Sequence, residues 1–242
     1  MHRFFVPPER IEGKDVSLAG GIAHQLRHVL RLRPGDSIVV LDNTGWEYIV
    51  ELRSLQGESA RGEVLEKRQA QGEPKVEITL YQALLKGNKF EYVIQKGTEI
   101  GISRFVPLLC QRSVALGAGG AEKTRATRWR RIIREAAEQS GRGTLPVLEP
   151  PVTFSEACQQ RKGLSLLPCE GEERLGIRAA LSAHHISTLS IFIGPEGGFS
   201  TEEVEEARSH AILPVTLGRR ILRAETAALV AATVVLFECG EI

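Results

Sequence analysis

Over the first seventy residues the apolar positions come in short runs that turn residues interrupt. Phe4, Phe5 and Val6 predict a strand that Pro7 and Pro8 end. Ile22, Leu26, Val29 and Leu30 fall at helical spacing and predict a short helix over 21–30. Arg33-Pro34-Gly35-Asp36 has turn chemistry, and a strand follows over 37–41. Asp42-Asn43-Thr44-Gly45 supplies a hairpin turn into the alternating strand 46–52, and a further strand fits 61–67. Periodicity then lapses over 69–74 (QAQGEP), which marks a domain boundary.

Beyond Pro74 strand and helix patterns take turns. Long or continuous apolar runs predict strands at 76–85, 105–109, 164–167, 189–193 and 212–217, the last interrupted by Pro214. Helices fit 88–101, with Phe90, Val93, Ile94 and Gly97 on one face, and 122–140. Ser200 and Glu203 form an S-x-x-E capping signature for a helix running to about His210. The final helix, 224–237, is apolar nearly all round, which predicts burial on every side in a core or a subunit interface. This alternation predicts an α/β domain with a mostly parallel sheet.

Composition narrows the picture without naming a function. The 242 residues carry 31 basic and 30 acidic side chains, 42% hydrophobic and 25% charged overall, an ordinary globular mixture. Four scattered cysteines with no C-x-x-C pair argue against a zinc ribbon and against a secreted disulfide framework. No apolar run reaches the ~20 residues of a membrane span, and the N-terminus lacks a signal-peptide pattern. A soluble protein of the reducing cytoplasm is expected. Of the basic residues 23 are Arg, a bias that suits a phosphate-bearing partner and equally a GC-rich genome.

Candidate chemistry concentrates in two loops and one helix. Ile193-Gly194-Pro195-Glu196-Gly197-Gly198-Phe199-Ser200 joins a buried strand to the capped helix, and its glycines allow close approach of a ligand or simply a tight turn. Neither G-x-G-x-x-G nor a Walker loop is present, and Glu196 would repel a phosphate. A ligand with an adenine-like face and positive charge fits better. Leu217-Gly218-Arg219-Arg220-Ile221-Leu222-Arg223 leads into Ala224-Glu225 and sets charges among apolar neighbours. Around Trp129, positions 123–142 hold seven basic and two acidic residues. That local excess suits RNA phosphates, or a solvated face with i, i+4 pairs such as Arg131–Glu135.

Together, IGPEGGFS (193–200), LGRRILRAETA (217–227), KGTEIG (96–101) and RWRRIIREAAEQSGR (128–142) resemble one family, as do RFF (3–5) and HVLRLRPGD (28–36). It is the RsmE family of ribosomal small-subunit RNA uridine-N3 methyltransferases, of the SPOUT class, and the resemblance runs over essentially the whole chain. It implies an α/β fold: a PUA-like RNA-binding β-barrel over 1–72, then a SPOUT methyltransferase domain with a trefoil knot over 73–242. It implies S-adenosylmethionine as cofactor, bound by loops matching 167–170, 194–198 and 217–222. The residues implied are Leu167, Gly194, Glu196, Gly197, Gly198, Leu217, Gly218, Ile221 and Leu222. It implies methylation of N3 of uracil 1498 in 16S ribosomal RNA by a homodimer, with no metal and no membrane.

Methyl transfer to uracil N3 needs the N3 proton removed and the developing oxyanions stabilised. Glu225 as base and Arg223 as cation are the local candidates; Glu196 could instead serve the cofactor's sulfonium, and spacing leaves these roles open. Arg3, Arg31, Arg112, Arg128, Arg131, Arg134 and Arg142 are the expected RNA contacts. The alternative is a non-catalytic rRNA-binding or ribosome-assembly protein, which has no need of the two glycine-bearing loops.

Overall fold

The computed structural model describes residues 1–113, 121–182 and 186–242. The chain forms two compact units, Met1–Glu73 with Arg134–Leu145, and Pro74–Ile133 with Pro146–Ile242.

In the first unit, short alternating segments build a six-stranded barrel-like sheet. Its strands are β1 (Arg3–Phe5), β2 (Ile11–Glu12), β3 (Asp15–Ala19), β4 (Ser37–Leu41), β5 (Trp46–Gln56) and β6 (Ser59–Gln69). They pair in the order β1-β4-β5-β6-β3-β2, parallel between β1 and β4 and antiparallel elsewhere. Phe4, Leu18, Ile38, Val40, Val50 and Leu52 fill the core on one side. β4 is apolar on both faces because Val39 and Leu41 turn outward to meet Phe5 and Ala137, with Leu145 packed against them. The segment Arg134–Leu145 is thus a lid on the back of β1 and β4, which local pattern does not foretell.

Polar groups fix that lid and the adjoining hairpin. Asp42 accepts from Thr44 N (2.8 Å), Thr44 Oγ1 (2.7 Å) and Tyr48 Oη (3.0 Å), an Asx-type turn at the expected position. Asn43 Oδ1 accepts from Leu145 N at 2.6 Å. Glu73 accepts from Arg142 Nη2 (2.7 Å), Gly143 N (2.9 Å) and Thr144 N (3.1 Å).

The expected helix over 21–30 begins as α1 (Gly21–His24) and then widens into a π turn, Gln25–Val29. Leu26 stays buried, but Val29, which the spacing put on the apolar face, is 64% exposed because the wider turn rotates it out.

The second unit alternates β7 (Glu77–Ala83), α2 (Lys89–Ile100), β8 (Arg104–Leu109), α3 (Ala121–Ser140), β9 (Val147–Leu148), β10 (Val152–Thr153), α4 (Phe154–Gln160) and β11 (Leu164–Pro168). It continues with α5 (Ile177–Leu181), β12 (Thr188–Ile193), α6 (Thr201–Ser209), β13 (Leu213–Val215) and α7 (Ala224–Glu238). Only Ala121–Ile133 of α3 belongs to this unit. The strands pair in parallel in the order β10-β8-β7-β12-β11-β13, with β9 also on β8. Phe105, Leu80, Ile191, Leu166 and Leu213 line up across five strands and face one way. They meet Phe90, Val93 and Ile94 of α2, Ile177 and Leu181 of α5, and Ala228, Ala231, Ala232 and Val235 of α7. Tyr81, Val106, Leu167 and Phe192 face the other way, toward α4 and α6. Both sheet faces are covered, which is why these strands read as continuous apolar runs.

Close packing explains Gly97: a Cβ there would lie 2.8 Å from Ile102 and 2.9 Å from Phe105, so a side chain would push α2 off the sheet. Pro214 is tolerated because β13 pairs with β11 alone, at the sheet edge. Within this chain the core supplies only part of the burial expected of the final helix. One face of α7 is buried, but Phe237 is 60% exposed and Val230 and Val234 are half-buried. The apolar face extends beyond what the sheet can cover.

Candidate active site

The carboxyl ends of β11, β12 and β13 release three loops that enclose one cleft of about 1180 Å³. Crevices at strand carboxyl ends are where open α/β sheets take ligands. The walls are Pro168–Glu173, Ile193–Thr201 and Thr216–Ala224, with Lys89 from α2, Arg112 from the turn after β8, and Arg208 from α6. β11 lies between β12 and β13, so loops distant in sequence become neighbours.

The glycine loop is held at both ends. Gly198 has φ +67° and donates to Pro195 O at 2.9 Å, a turn that needs the left-handed region. Ser200 Oγ accepts from Glu203 N (3.2 Å) while Glu203 Oε2 accepts from Ser200 N (2.8 Å), the expected capping box. Glu203 Oε1 also accepts from Gln111 N at 2.9 Å, and Arg112 Nη1 donates to Gly197 O at 2.9 Å. The loop after β13 turns at Gly218, whose N–H donates to Thr216 Oγ1 (3.1 Å). Beyond it Ile221 is 77% exposed, an apolar surface standing in the cleft.

Charges gather on one side. Glu196 accepts from Lys89 Nζ (3.1 Å) and Lys86 N (3.2 Å), and Lys89 Nζ lies 3.8 Å from Glu225 Oε2. Burial alone would raise the Glu196 carboxyl, yet its own backbone N–H, Lys89 and Lys86 hold it below the usual carboxylate range. Glu225 sits in the first turn of α7, and its Oε2 is buried with no hydrogen-bond partner among the described residues. Arg223 caps the same helix through its backbone, its carbonyl accepting from Ala227 N at 2.8 Å, and the side chains of Arg219, Arg220 and Arg223 make no hydrogen bond or ion pair among the described residues. Burial pushes the thiol of Cys169 up, so this cleft-lining cysteine is not primed as a nucleophile.

Most of the expected cleft residues come together. Gly194, Glu196, Gly197, Gly198, Leu217, Gly218, Ile221, Leu222 and Arg223 line the cleft, and Glu225 borders it through Lys89. Leu167 does not: alternation along β11 turns it into the core against Phe192 and α4, and the cleft wall begins at Pro168.

The expected RNA contacts scatter. Arg112 belongs to the cleft. Arg128, which pairs with Glu91 at 2.7 Å, and Arg131 are exposed on α3. In the first unit Arg31 is exposed, Arg3 pairs with Glu47 (2.6 Å), and Arg134 donates to Phe5 O (3.0 Å). Arg142 is 2% exposed, with its guanidinium committed to Glu73, so its role is in the fold rather than at RNA phosphates.

Lys89 escaped the pattern reading. A cation in a helix's first turn opposes the helix dipole, and that anomaly is the signal that could have found it. Among the described residues no group of three or more metal-ligating side chains occurs, and no helix is long and apolar enough to cross a membrane.

Residues 72–236 match the RNA methyltransferase domain family and residues 18–65 the RNA methyltransferase PUA domain. Ribosomal RNA small subunit methyltransferase E of Bacillus subtilis is 32% identical over 98% of this chain and 97% of its own. Its namesake from Synechocystis is 36% identical over 95% of this chain and 75% of its own. The crystal structure of the namesake from Neisseria gonorrhoeae, bound to S-adenosyl methionine, superposes with a TM-score of 0.90 at 30% identity, over 98% of this chain and 97% of that one. A methyltransferase structure from Legionella pneumophila, also with bound cofactor, gives 0.89 at 27% identity, with the same two coverages. The chain belongs to the ribosomal RNA small subunit methyltransferase E family.

Proposed function

We propose that this chain transfers a methyl group from S-adenosylmethionine to N3 of a uridine in 16S ribosomal RNA, uracil 1498, acting in the cytoplasm as a homodimer. The observation that carries this reading is the cleft, where side-chain-free backbone and paired charges meet at one end of the sheet. A Cβ at Gly198 or Gly218 would meet nothing within 4 Å, and one at Gly197 only Arg112 at 3.5 Å. The glycines therefore leave room that a ligand would fill, which suits a nucleoside lying against the 194–198 and 217–222 backbone with Ile221 and Leu222 as apolar cover. The ionised Glu196 suits a cationic ligand and would oppose a phosphate.

When bound, S-adenosylmethionine supplies a methyl group on a positively charged sulfur and leaves as the neutral thioether. The residues of the chain do the rest. Glu225 accepts the uracil N3 proton, and the electron pair freed on N3 forms the new N–CH₃ bond. Arg223, unpaired at the cleft rim, stabilises the negative charge that develops on the two ring oxygens. Glu225 then returns its proton to water. Arg128 and Arg131 on α3, and Arg31 on the first unit, bind RNA phosphates. The uncovered face of α7 around Phe237 pairs with a second copy. The order β12-β11-β13 supports a knotted passage of the segment after β13.

Glu225→Gln and Arg223→Met test the chemistry. Each should slow single-turnover methylation by about 10²–10⁴-fold, with melting temperature and calorimetric cofactor affinity near the parent. Parental rates in folded, cofactor-binding variants would remove both residues from the chemistry.

A further inference from the structure

Lys89 stands where a lysine is electrostatically misplaced. It is the first residue of α2, at the positive end of that helix's dipole. Its ammonium touches Glu196 of the glycine loop at 3.1 Å and lies 3.8 Å from Glu225 of α7. It is the group through which the two cleft carboxylates, from different elements, are joined.

Among the described residues Lys89 is the cation that pairs with Glu225. α7 packs against α2, α5, β7 and β12. From α2, Glu91 is paired with Arg128 and Lys96 with Glu99. From α5, Arg178 pairs with Glu238 at the far end of α7. β12 carries no ionisable side chain; on β7, Glu77 lies at the opposite end of the strand and Tyr81 on the opposite face. At the start of its own helix Arg223 is exposed, lines the cleft and has no ion pair among the described residues. Glu225 Oε2 is buried and has no hydrogen bond among the described residues, and Lys89, with Glu196 behind it, is the cation set beside it.

We infer that Lys89 is a positioning residue, whose ammonium ties Glu196 to Glu225 and keeps Glu225 ionised and aimed as the proton acceptor. This rests on Glu225 being the base, and the test separates the two. Carbon-13-labelled glutamate in the ligand-free full chain reports the Glu225 carboxyl directly, assigned by its loss in Glu225→Gln. In Lys89→Met the Glu225 titration midpoint should rise by about one pH unit or more, as expected when a neighbouring cation is removed. Methylation should fall about tenfold below that midpoint, approach the parent above it, and recover in Lys89→Arg. A residue that merely props the helix would lower the rate equally at all pH values. Lys89→Gln provides the same readout if Lys89→Met does not fold. An unmoved midpoint overturns the positioning role, whatever the activity. A moved midpoint together with parental rates in Glu225→Gln leaves the positioning role standing and fails the base assignment.

Discussion

Arg142 is the place where a basic side chain has been drawn out of solvent, and replacing it with Met separates folding from RNA contact. Its guanidinium, 2% exposed, donates to Glu73 through Nε (3.2 Å) and Nη2 (2.7 Å). Removing one partner of a buried pair costs about 3–5 kcal/mol. Glu73 is still 26% exposed and keeps the Gly143 and Thr144 N–H groups, so about 2–3 kcal/mol is expected here. That corresponds to a melting temperature roughly 5–10 °C lower if the whole chain melts as one, and more if the first unit melts by itself. Burial alone would raise the Glu73 carboxyl, but Arg142 and the Thr144 groups hold it below its ordinary value. A depressed carboxylate stabilises the fold above the unfolded-state pKa and loses that contribution as pH falls through the folded-state pKa. The gap between parent and Arg142→Met should therefore be full at pH 7 and narrow below about pH 4. Calorimetric melts across that range measure it, alongside rRNA binding by the folded variant at several salt concentrations. A parental melt combined with a shallower salt slope would refute the assignment and return Arg142 to the RNA surface.

Gly197→Val should abolish cofactor binding by calorimetry while leaving the melt unchanged, since the new side chain projects into the cleft; unchanged affinity would misplace the ligand. Replacing Arg128, Arg130 and Arg131 with Gln should weaken rRNA binding and reduce the salt slope by up to about 2–3, since each phosphate contact contributes just under one. A parental slope would make the exposed face of α3 a solvated one. Ser200→Ala removes the acceptor for Glu203 N beside the cleft and should lower stability by about 1 kcal/mol, read from the urea midpoint. Full stability there would mean that Glu203, still bonded to Gln111, carries the turn alone.

The second unit was largely legible because its physics is local and repetitive. Strands covered on both faces must be apolar throughout, and the capping box at Ser200 marks the start of α6 independently of its packing. The same signature at Thr153 and Glu156 opens α4, but seven residues give too little periodicity to draw attention. β2 and β3, of two and five residues, were lost for that reason too. What the pattern missed at the site was directional. Neighbouring residues 166 and 167 look alike in sequence, yet the pleat sends one to each face, so Leu167 belongs to the core. Charge counting likewise treated every Arg between 123 and 142 alike, whereas Arg142 is spent on a carboxylate sixty-nine residues upstream.

That long-range pairing bears on how the protein is made. The first unit comprises Met1–Glu73 and Arg134–Leu145, so the strands made first lack the cover of one sheet face until the later segment has emerged. Translation at roughly 5–20 residues per second delays the missing piece by on the order of ten seconds. Throughout that interval Phe5, Val39 and Leu41 have no cover, and Glu73 waits for its guanidinium. The nascent chain therefore passes through a stage with an apolar sheet face open to solvent, in which a chaperone would find its natural substrate. A fragment ending at Glu73 would be arrested there.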